Sequence, residues 1–173
     1  MAKVETVTLG LSEILVGKAS PEGVMPKDLT KIGLTYKDTC KFVQDAGEVT
    51  EHFEEGNLAP IVRFVEKKTP KLTFSLMDAS VQTLAAYVGG KVEKMGEPSA
   101  QVDTWKFNGT EDVEPKAIQV KTKQGLWIDI PNASIEAHIN AEFSAKGIFL
   151  VEFEVTPLSV SADGAVRAYI PKK

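Results

Sequence analysis

The chain has 173 residues, which fits a single domain, and its 43% apolar content is enough to build a core. A formal charge of −4 and a pI near 5.3 argue against nucleic acid as a direct ligand, because phosphate binding requires a basic surface. The single cysteine, Cys40, excludes an intramolecular disulfide and a cysteine-based zinc site. The N-terminus lacks the pattern of a secretory signal, and no apolar stretch reaches the ~20 residues of a membrane span, so we expect cytoplasmic synthesis and no membrane partner.

The first sixty residues carry weak strand signals separated by loops. Strands are predicted over three segments, residues 4–11, 30–36 and 39–44. The segment from Gly47 to Pro60, rich in turn-forming residues, is predicted to be a loop. It carries the apolar side chains of Phe53 and Leu58, which a monomer has little reason to expose. We therefore predict that this loop, extended to Ile61, contacts another subunit.

The segment from Ile61 to Gly90 is predicted to contain a pair of strands and then a short helix. The two strands, over residues 61–66 and 70–78, are predicted to pair with each other across a charged link. In the helix, four residues spaced by three or four form one apolar stripe: Val81, Leu84, Ala85 and Val88. Asp78 or Ser80 is predicted to cap this helix, and Gly89 to end it. With roughly nine residues it is too short to be stable alone and must pack on the sheets. A loop is predicted next, over residues 94–100.

The second half of the chain is predicted to form two antiparallel hairpins. The first joins residues 118–122 to 126–130 through a turn at Gly125, and Pro131 is predicted to end its second strand. The second joins Ile135–Phe143 to residues 149–155 through a turn at Gly147, and both strands alternate between apolar and polar residues. Its polar side is a candidate acidic sheet face with four glutamates: Glu136, Glu142, Glu152 and Glu154. A short strand is predicted near residues 165–170.

Many short antiparallel strands with one packed helix predict a mainly β fold, an antiparallel β-sandwich or barrel. The sequence contains no arrangement typical of an enzyme, so we assign no catalytic, cofactor-binding or metal-binding residue. His138 with Glu136 on one strand face makes at most half of a metal site. An alternative function is a monomeric β-sandwich that binds carbohydrate through Trp105 or Trp127, although their apolar neighbours favour packing.

One succession of elements resembles the major tail tube proteins of tailed bacteriophages and prophages. It consists of the strand from Thr69 to Asp78, the helix from Val81 to Val88 and the closing pair Gly89-Gly90. The late hairpin, residues 133–157, is similar to the closing strands of that family. The resemblance covers residues 48–158, and the segments before and after that range match nothing in the family.

The resemblance implies a β-sandwich that assembles into hexameric rings, which stack into a hollow tube conducting DNA without binding it specifically. It implies no cofactor, contacts with tape measure and tail terminator proteins, and a place in the virion tail after synthesis in the bacterial host cytoplasm. Loops and terminal arms bridge subunits in the family. We accordingly divide a single domain, residues 1–173, into an N-terminal arm (about 1–30), a body and a C-terminal extension (about 159–173). The tube protein of type VI secretion has a similar fold, so the tube of an injection device is an alternative. If the acidic sheet face lined the channel, it would repel DNA phosphates.

Overall fold

A computed structural model describes residues 7–109, 113–162 and 164–172. As predicted, the fold is mainly β, with antiparallel sheets and a short helix of 8 residues. The elements of the described residues follow in chain order: β1 (Leu9–Lys18), β2 (Thr30–Lys31), β3 (Lys41–Val43), β4 (Glu48–His52), β5 (Val62–Glu66), β6 (Lys71–Leu76), α1 (Val81–Thr83, continued by a π-helical turn over Leu84–Val88), β7 (Lys91–Met95), β8 (Val102–Lys106), β9 (Lys116–Gln124), β10 (Trp127–Ala141), β11 (Phe149–Pro157) and β12 (Arg167–Tyr169).

The main sheet has eight strands and closes on itself. Its order is β2-β1-β9-β10-β11-β6-β3, with β12 added beside β10. The segment after β2 joins the two sides of the sheet. The amide of Ile32 donates to the carbonyl of Ile14 in β1, and the amide of Tyr36 donates to the carbonyl of Ser75 in β6. Because one short segment bonds to both β1 and β6, the sheet curls into a barrel-like sandwich.

The core fills the inside of this curled sheet. Its buried side chains come from the main-sheet strands, the segment after β2 and the helix: Ile14, Val16, Ile32, Leu72, Phe74, Leu76, Leu84, Ile118, Val120, Ile130, Ala133, Ile135, Val151, Phe153 and Val155. The rings of Phe74 and Phe153 stack with centroids 4.8 Å apart, and Tyr87 of α1 packs edge-on against Phe153 at 5.2 Å. The predicted packing of the helix on the sheets is therefore confirmed.

The helix begins and ends where the sequence predicts. The Ser80 hydroxyl caps it by accepting from the amide of Thr83 at 3.1 Å, and Gly89 terminates it. Its last turn is wider than an α-turn, because the amide of Gly89 bonds to the carbonyl of Leu84, five residues back. The wide turn brings Tyr87 onto the core, which a stripe drawn with the α-helical period did not include.

Both late hairpins are confirmed, but Pro131 does not end a strand. β10 is 15 residues long and runs through Pro131. The register between β9 and β10 shifts between Ile130 and Ala133, which marks a bulge. A proline is tolerated at a bulge because no ladder hydrogen bond needs its missing N–H. β10 also changes partners near the bulge: it pairs with β12 before the bulge, with β9 up to Ala133, and with β11 from Ala133 onward.

Three further predictions of local structure were wrong. β5 pairs with β4, and β6 pairs with β3 and β11, so the predicted pairing of residues 61–66 with 70–78 does not form. The predicted loop over residues 47–60 begins with β4, whose sequence has one apolar residue in five and gives no alternation signal. The predicted loop over residues 94–100 covers the end of β7, which forms a hairpin with β8.

The two terminal segments contribute strands to the main sheet. β1, which lies within the predicted N-terminal arm, pairs along its length with β9 and buries Ile14 to 1% exposure. The first predicted strand, residues 4–11, thus overlaps only the start of β1. β12 lies within the predicted C-terminal extension and pairs with β10, as the short strand predicted there suggested.

Candidate interaction surfaces

The candidate interface segment is part of a hairpin that continues the ladder of β3 and β6. We call residues 48–66 the projecting hairpin. Val43 opposes Lys71 at the end of the β3–β6 ladder, and Glu48 opposes Glu66 at the start of the β4–β5 ladder. Residues 44–47 on one strand and 67–70 on the other separate the two ladders, so both have the same register. The projecting hairpin is therefore the outer half of one long antiparallel ribbon.

The projecting hairpin is exposed on both faces. Every residue of β4 and β5 is exposed, and in the described structure these strands pack mainly on each other. Seven large apolar side chains stand out from it: Val49, Phe53, Leu58, Ile61, Val62, Phe64 and Val65. An isolated two-stranded hairpin is at best marginally stable in water. A contact with another surface would thus stabilise it.

The three residues predicted to form an interface lie together at the tip of this hairpin. The amide of Ile61 donates to the carbonyl of His52 at 2.8 Å, so Ile61 lies beside the last pair of the ladder, His52 and Val62, and Phe53 directly follows that pair in the chain. Leu58 occupies the turn beyond them and is 102% exposed. The sequence did not reveal that Val62, Phe64 and Val65 are exposed on the same hairpin, because the alternation in β5 resembles that of a core strand.

The projecting hairpin is acidic as well as apolar. It carries five glutamates and one arginine, which gives a formal charge of −4, equal to that of the whole chain. The remaining residues are therefore neutral overall. Glu51 is paired with Arg63, with 3.1 Å between the Glu51 Oε1 and Arg63 Nε atoms. The charges at the tip, Glu54 and Glu55, have no cationic partner among the described residues.

The candidate acidic face is formed by three of its four predicted glutamates. Glu136 of β10 opposes Glu154 of β11. Glu152 lies two residues before Glu154 in β11 and therefore on the same face. Glu142 lies beyond the end of β10, where its carboxylate accepts a hydrogen bond from the Ser144 hydroxyl. The face is not purely acidic, because Lys71 of the neighbouring strand forms an ion pair with Glu154.

Glu152 is the carboxylate of this face that is held by two side-chain hydrogen bonds. Its Oε1 atom accepts from the Asn140 side chain at 2.6 Å, and its Oε2 atom lies 2.9 Å from Nε2 of His138. The hydrogen bond from Asn140 is the main reason that the pKa of Glu152 lies below its usual value; desolvation opposes it, and the contact with His138 adds to the lowering. These contacts therefore favour the ionised form of this carboxylate.

Both tryptophans are engaged within the chain. Trp105 is half-buried, its Nε1 atom donates to the carbonyl of Gly89 at 2.8 Å, and its ring stacks on Phe107. Trp127 meets Tyr169 edge-on and lies under the ammonium group of Lys121, 5.0 Å from its ring centroid. Neither ring stands alone on an open platform of the kind that the carbohydrate-binding alternative requires.

The described residues offer little for metal or thiol chemistry. They contain no group of three or more His, Cys, Asp or Glu side chains placed to hold a metal ion. None of their helices is long and apolar enough to cross a membrane. Burial raises the pKa of the Cys40 thiol to about 11, which keeps it protonated and unreactive at neutral pH. The acidic pair Glu111-Asp112 lies outside the described residues.

No protein-family model matches this chain, and a search of curated proteins found no match either.

Proposed function

We propose that this chain is a structural subunit that assembles with copies of itself into a hollow tube. The observation that carries the proposal is the projecting hairpin, with seven exposed apolar side chains and little packing against its own body. Fully burying one such side chain contributes about 1.5–3 kcal/mol. Contact with a second copy would therefore stabilise both the hairpin and the assembly.

The form of the assembly follows from the resemblance to phage tail tube proteins. In this proposal the subunits form hexameric rings, the rings stack, and DNA passes along the channel without specific binding. The tape measure and tail terminator proteins would be further partners, and the assembled protein would belong to the virion tail. The ion pair between Lys71 and Glu154 implies that a channel lined by the acidic face would repel phosphate less strongly than its glutamates alone suggest.

Self-assembly can be tested directly. The purified chain should show rings or hollow tubes by negative-stain microscopy at high concentration, with a matching rise in mass by light scattering. The double variant Phe53→Asp/Leu58→Asp should remain monomeric, because two buried carboxylates oppose the contact. Val102→Asp is a matched control, since Val102 is a 65% exposed apolar residue on the other small hairpin.

Two results would count against the proposal. A wild-type chain that stays monomeric at all concentrations would contradict self-assembly, and a ligand screen for a binding module would follow. Tubes formed normally by the double variant would show that the tip of the projecting hairpin is not the contact.

A further inference from the structure

The projecting hairpin has two free edges. β4 and β5 form a two-stranded sheet of their own, so among the described residues each of them pairs with a strand on one side only. The backbone N–H and C=O groups on the outer side of each strand therefore face no partner strand. An unpaired edge of this kind accepts another extended strand, which joins the sheet through main-chain hydrogen bonds.

The edge of β5 has the composition of a strand that pairs readily. Residues 61–66 have a net charge of zero and no proline, and four of the six are β-branched or aromatic apolar residues. Ile61 and Phe64 are 64% and 63% exposed. Edge strands are commonly protected by charges or by proline, but here the nearest prolines, Pro60 and Pro70, lie outside the strand. The β5 edge is therefore open to pairing with a further chain.

The two sides of the ribbon carry opposite charge. The side that contains β4, residues 44–55, has five carboxylates and no lysine or arginine, whereas the side that contains β5, residues 60–69, has three cations and one carboxylate. These residues are Asp45, Glu48, Glu51, Glu54 and Glu55 on the β4 side, and Arg63, Lys67, Lys68 and Glu66 on the β5 side. Opposite charges on neighbouring strands stabilise their pairing, and like charges oppose it. The β4 side of one ribbon thus complements the β5 side of another, and neither side complements itself.

We propose that the outer edge of β5 pairs, in antiparallel orientation, with the outer edge of β4 from a second copy of the chain. The inference rests on the proposed function of self-assembly and states how the hairpins of neighbouring copies meet. Because β4 and β5 run in opposite directions within each hairpin, two copies in the same orientation bring antiparallel strands together. The added strands provide the support that a lone two-stranded hairpin lacks.

A second copy supplies the acidic extended strand that the β5 edge fits. Its β4 is already a strand with a free edge, so the contact requires no refolding. A cleft of about 800 Å³ where β1, β9 and α1 meet offers no such match, because its described lining holds two lysines beside two carboxylates. The contact joins two different edges, so each copy keeps one edge free for the next neighbour on either side. Repetition of such a heterologous contact gives closed rings or open filaments.

Cross-linking between two single-cysteine chains tests which edges meet. In a Cys40→Ser background, one chain carries Val49→Cys in β4 and the other carries Val65→Cys in β5, both at exposed valines. A mixture of the two full-length chains should give a covalent dimer with a short bismaleimide, and neither chain alone should give one. Val102→Cys replaces an exposed valine of the other small hairpin, and this control chain should give no dimer with either partner.

The outcomes separate the edge pairing from the proposed function. If light scattering shows assembly but the mixture gives no more dimer than the control, the edge pairing is wrong and the proposed function stands. Dimers from the Val65→Cys chain alone would show that β5 pairs with β5, which would overturn the pairing of unlike edges. If the chain neither assembles nor cross-links, both the edge pairing and the proposed function are wrong.

Charge reversal on the β5 side tests the chemistry of the contact. Lys67→Glu/Lys68→Glu makes this side acidic and should weaken association about tenfold or more, because two acidic edges then meet. Lys94→Glu/Lys146→Glu is the control, because it changes the net charge equally at two exposed positions outside the ribbon. An equal loss in the control would mean that the overall charge, and not the edge, governs association, and would overturn the proposed pairing.

Restoration of association by a second charge reversal gives the stricter test. The β4 side becomes basic when Glu48→Lys/Glu54→Lys/Glu55→Lys is added to the two lysine substitutions, and association should then recover because opposite charges meet again. Circular dichroism of each monomer separates a lost contact from a lost fold. A five-substitution chain that folds but associates no better than the lysine variant would overturn the proposed pairing.

Discussion

The ladder of β3 and β6 and the ladder of β4 and β5 share one register but have opposite surroundings. In β6, Leu72 and Phe74 are 0% and 2% exposed, whereas Phe64 of β5 is 63% exposed. The difference comes from the neighbours. β6 also pairs with β11 and lies over the core, while β5 pairs with β4 alone. Burial is thus determined by what lies beside a ladder, and the exposed half of this ribbon is the half available to another molecule.

The largest expected effect is the difference between the two halves of the ribbon when a phenylalanine in each is replaced by alanine. Phe74→Ala should lower the free energy of unfolding by about 3–5 kcal/mol, because it removes a buried ring that stacks on Phe153 and leaves a cavity. Phe64→Ala should change it by no more than about 0.5 kcal/mol in the monomer. Urea denaturation of both variants under conditions that keep the chain monomeric measures the difference. Equal losses would mean that the projecting hairpin packs on the body in solution.

The same contrast explains what the sequence could and could not predict. The β10–β11 hairpin was predictable because Ile135, Ala137 and Ile139 alternate with polar residues over a long stretch. β5 also has an alternating pattern, but its apolar residues face no core, and a pattern alone cannot say which surface will cover it. The bulge at Pro131 was missed because a proline ends most strands, and only the bulge in β10, where no ladder hydrogen bond needs its missing N–H, makes it acceptable there.

The candidate interface residues were predictable only in part, because a sequence pattern can suggest exposure but cannot say which surface will cover a residue. Phe53, Leu58 and Ile61 are apolar residues among turn-forming ones, which suggested exposure, and the structure places them together at a tip. The cleft lined by Val16, Tyr87 and Asn132 was not predictable. These residues are far apart in sequence and meet only through the closure of the sheet and the bulge. No local pattern indicates that Lys18 will oppose Lys116.

Loss of a buried polar contact in the main sheet should lower the free energy of unfolding less than a truncation in the core does. It should lower it more than the loss of any contact of the projecting hairpin. The side chain of Gln119 donates to the carboxylate of Asp129 at 2.8 Å, and both residues are less than 10% exposed. Gln119→Met removes the donor and leaves a buried carboxylate short of a partner, which should cost about 1–3 kcal/mol. Thermal or urea unfolding measures the loss. Gln101→Met, at an exposed position, is the control, and a similar loss there would point to a general effect of methionine.

The helix cap should contribute less to the free energy of unfolding than the contact between Gln119 and Asp129. The Ser80 hydroxyl accepts from the amide of Thr83, and Ser80→Ala should cost about 1 kcal/mol because that amide loses its partner. Ser80→Asp keeps an acceptor at the same position and should restore most of the stability. Full stability in Ser80→Ala would show that packing on the core, rather than the cap, holds the helix.

The smallest expected effect lies on the exposed face of the β10–β11 hairpin. Asn140 is the main reason that the pKa of Glu152 is lowered, with His138 contributing less. A carboxylate with a lowered pKa in the folded state adds stability that is present above its ordinary pKa of 4.5 and is lost as pH falls through the folded value. Asn140→Ala should therefore cost at most about 0.5 kcal/mol at neutral pH, since the site is exposed and screened, and the cost should vanish in acid. Titration of the Glu152 carboxyl by NMR, together with urea unfolding above and below pH 4.5, checks both parts. A cost that persists in acid would mean that Asn140 acts through strand packing and not through the carboxylate.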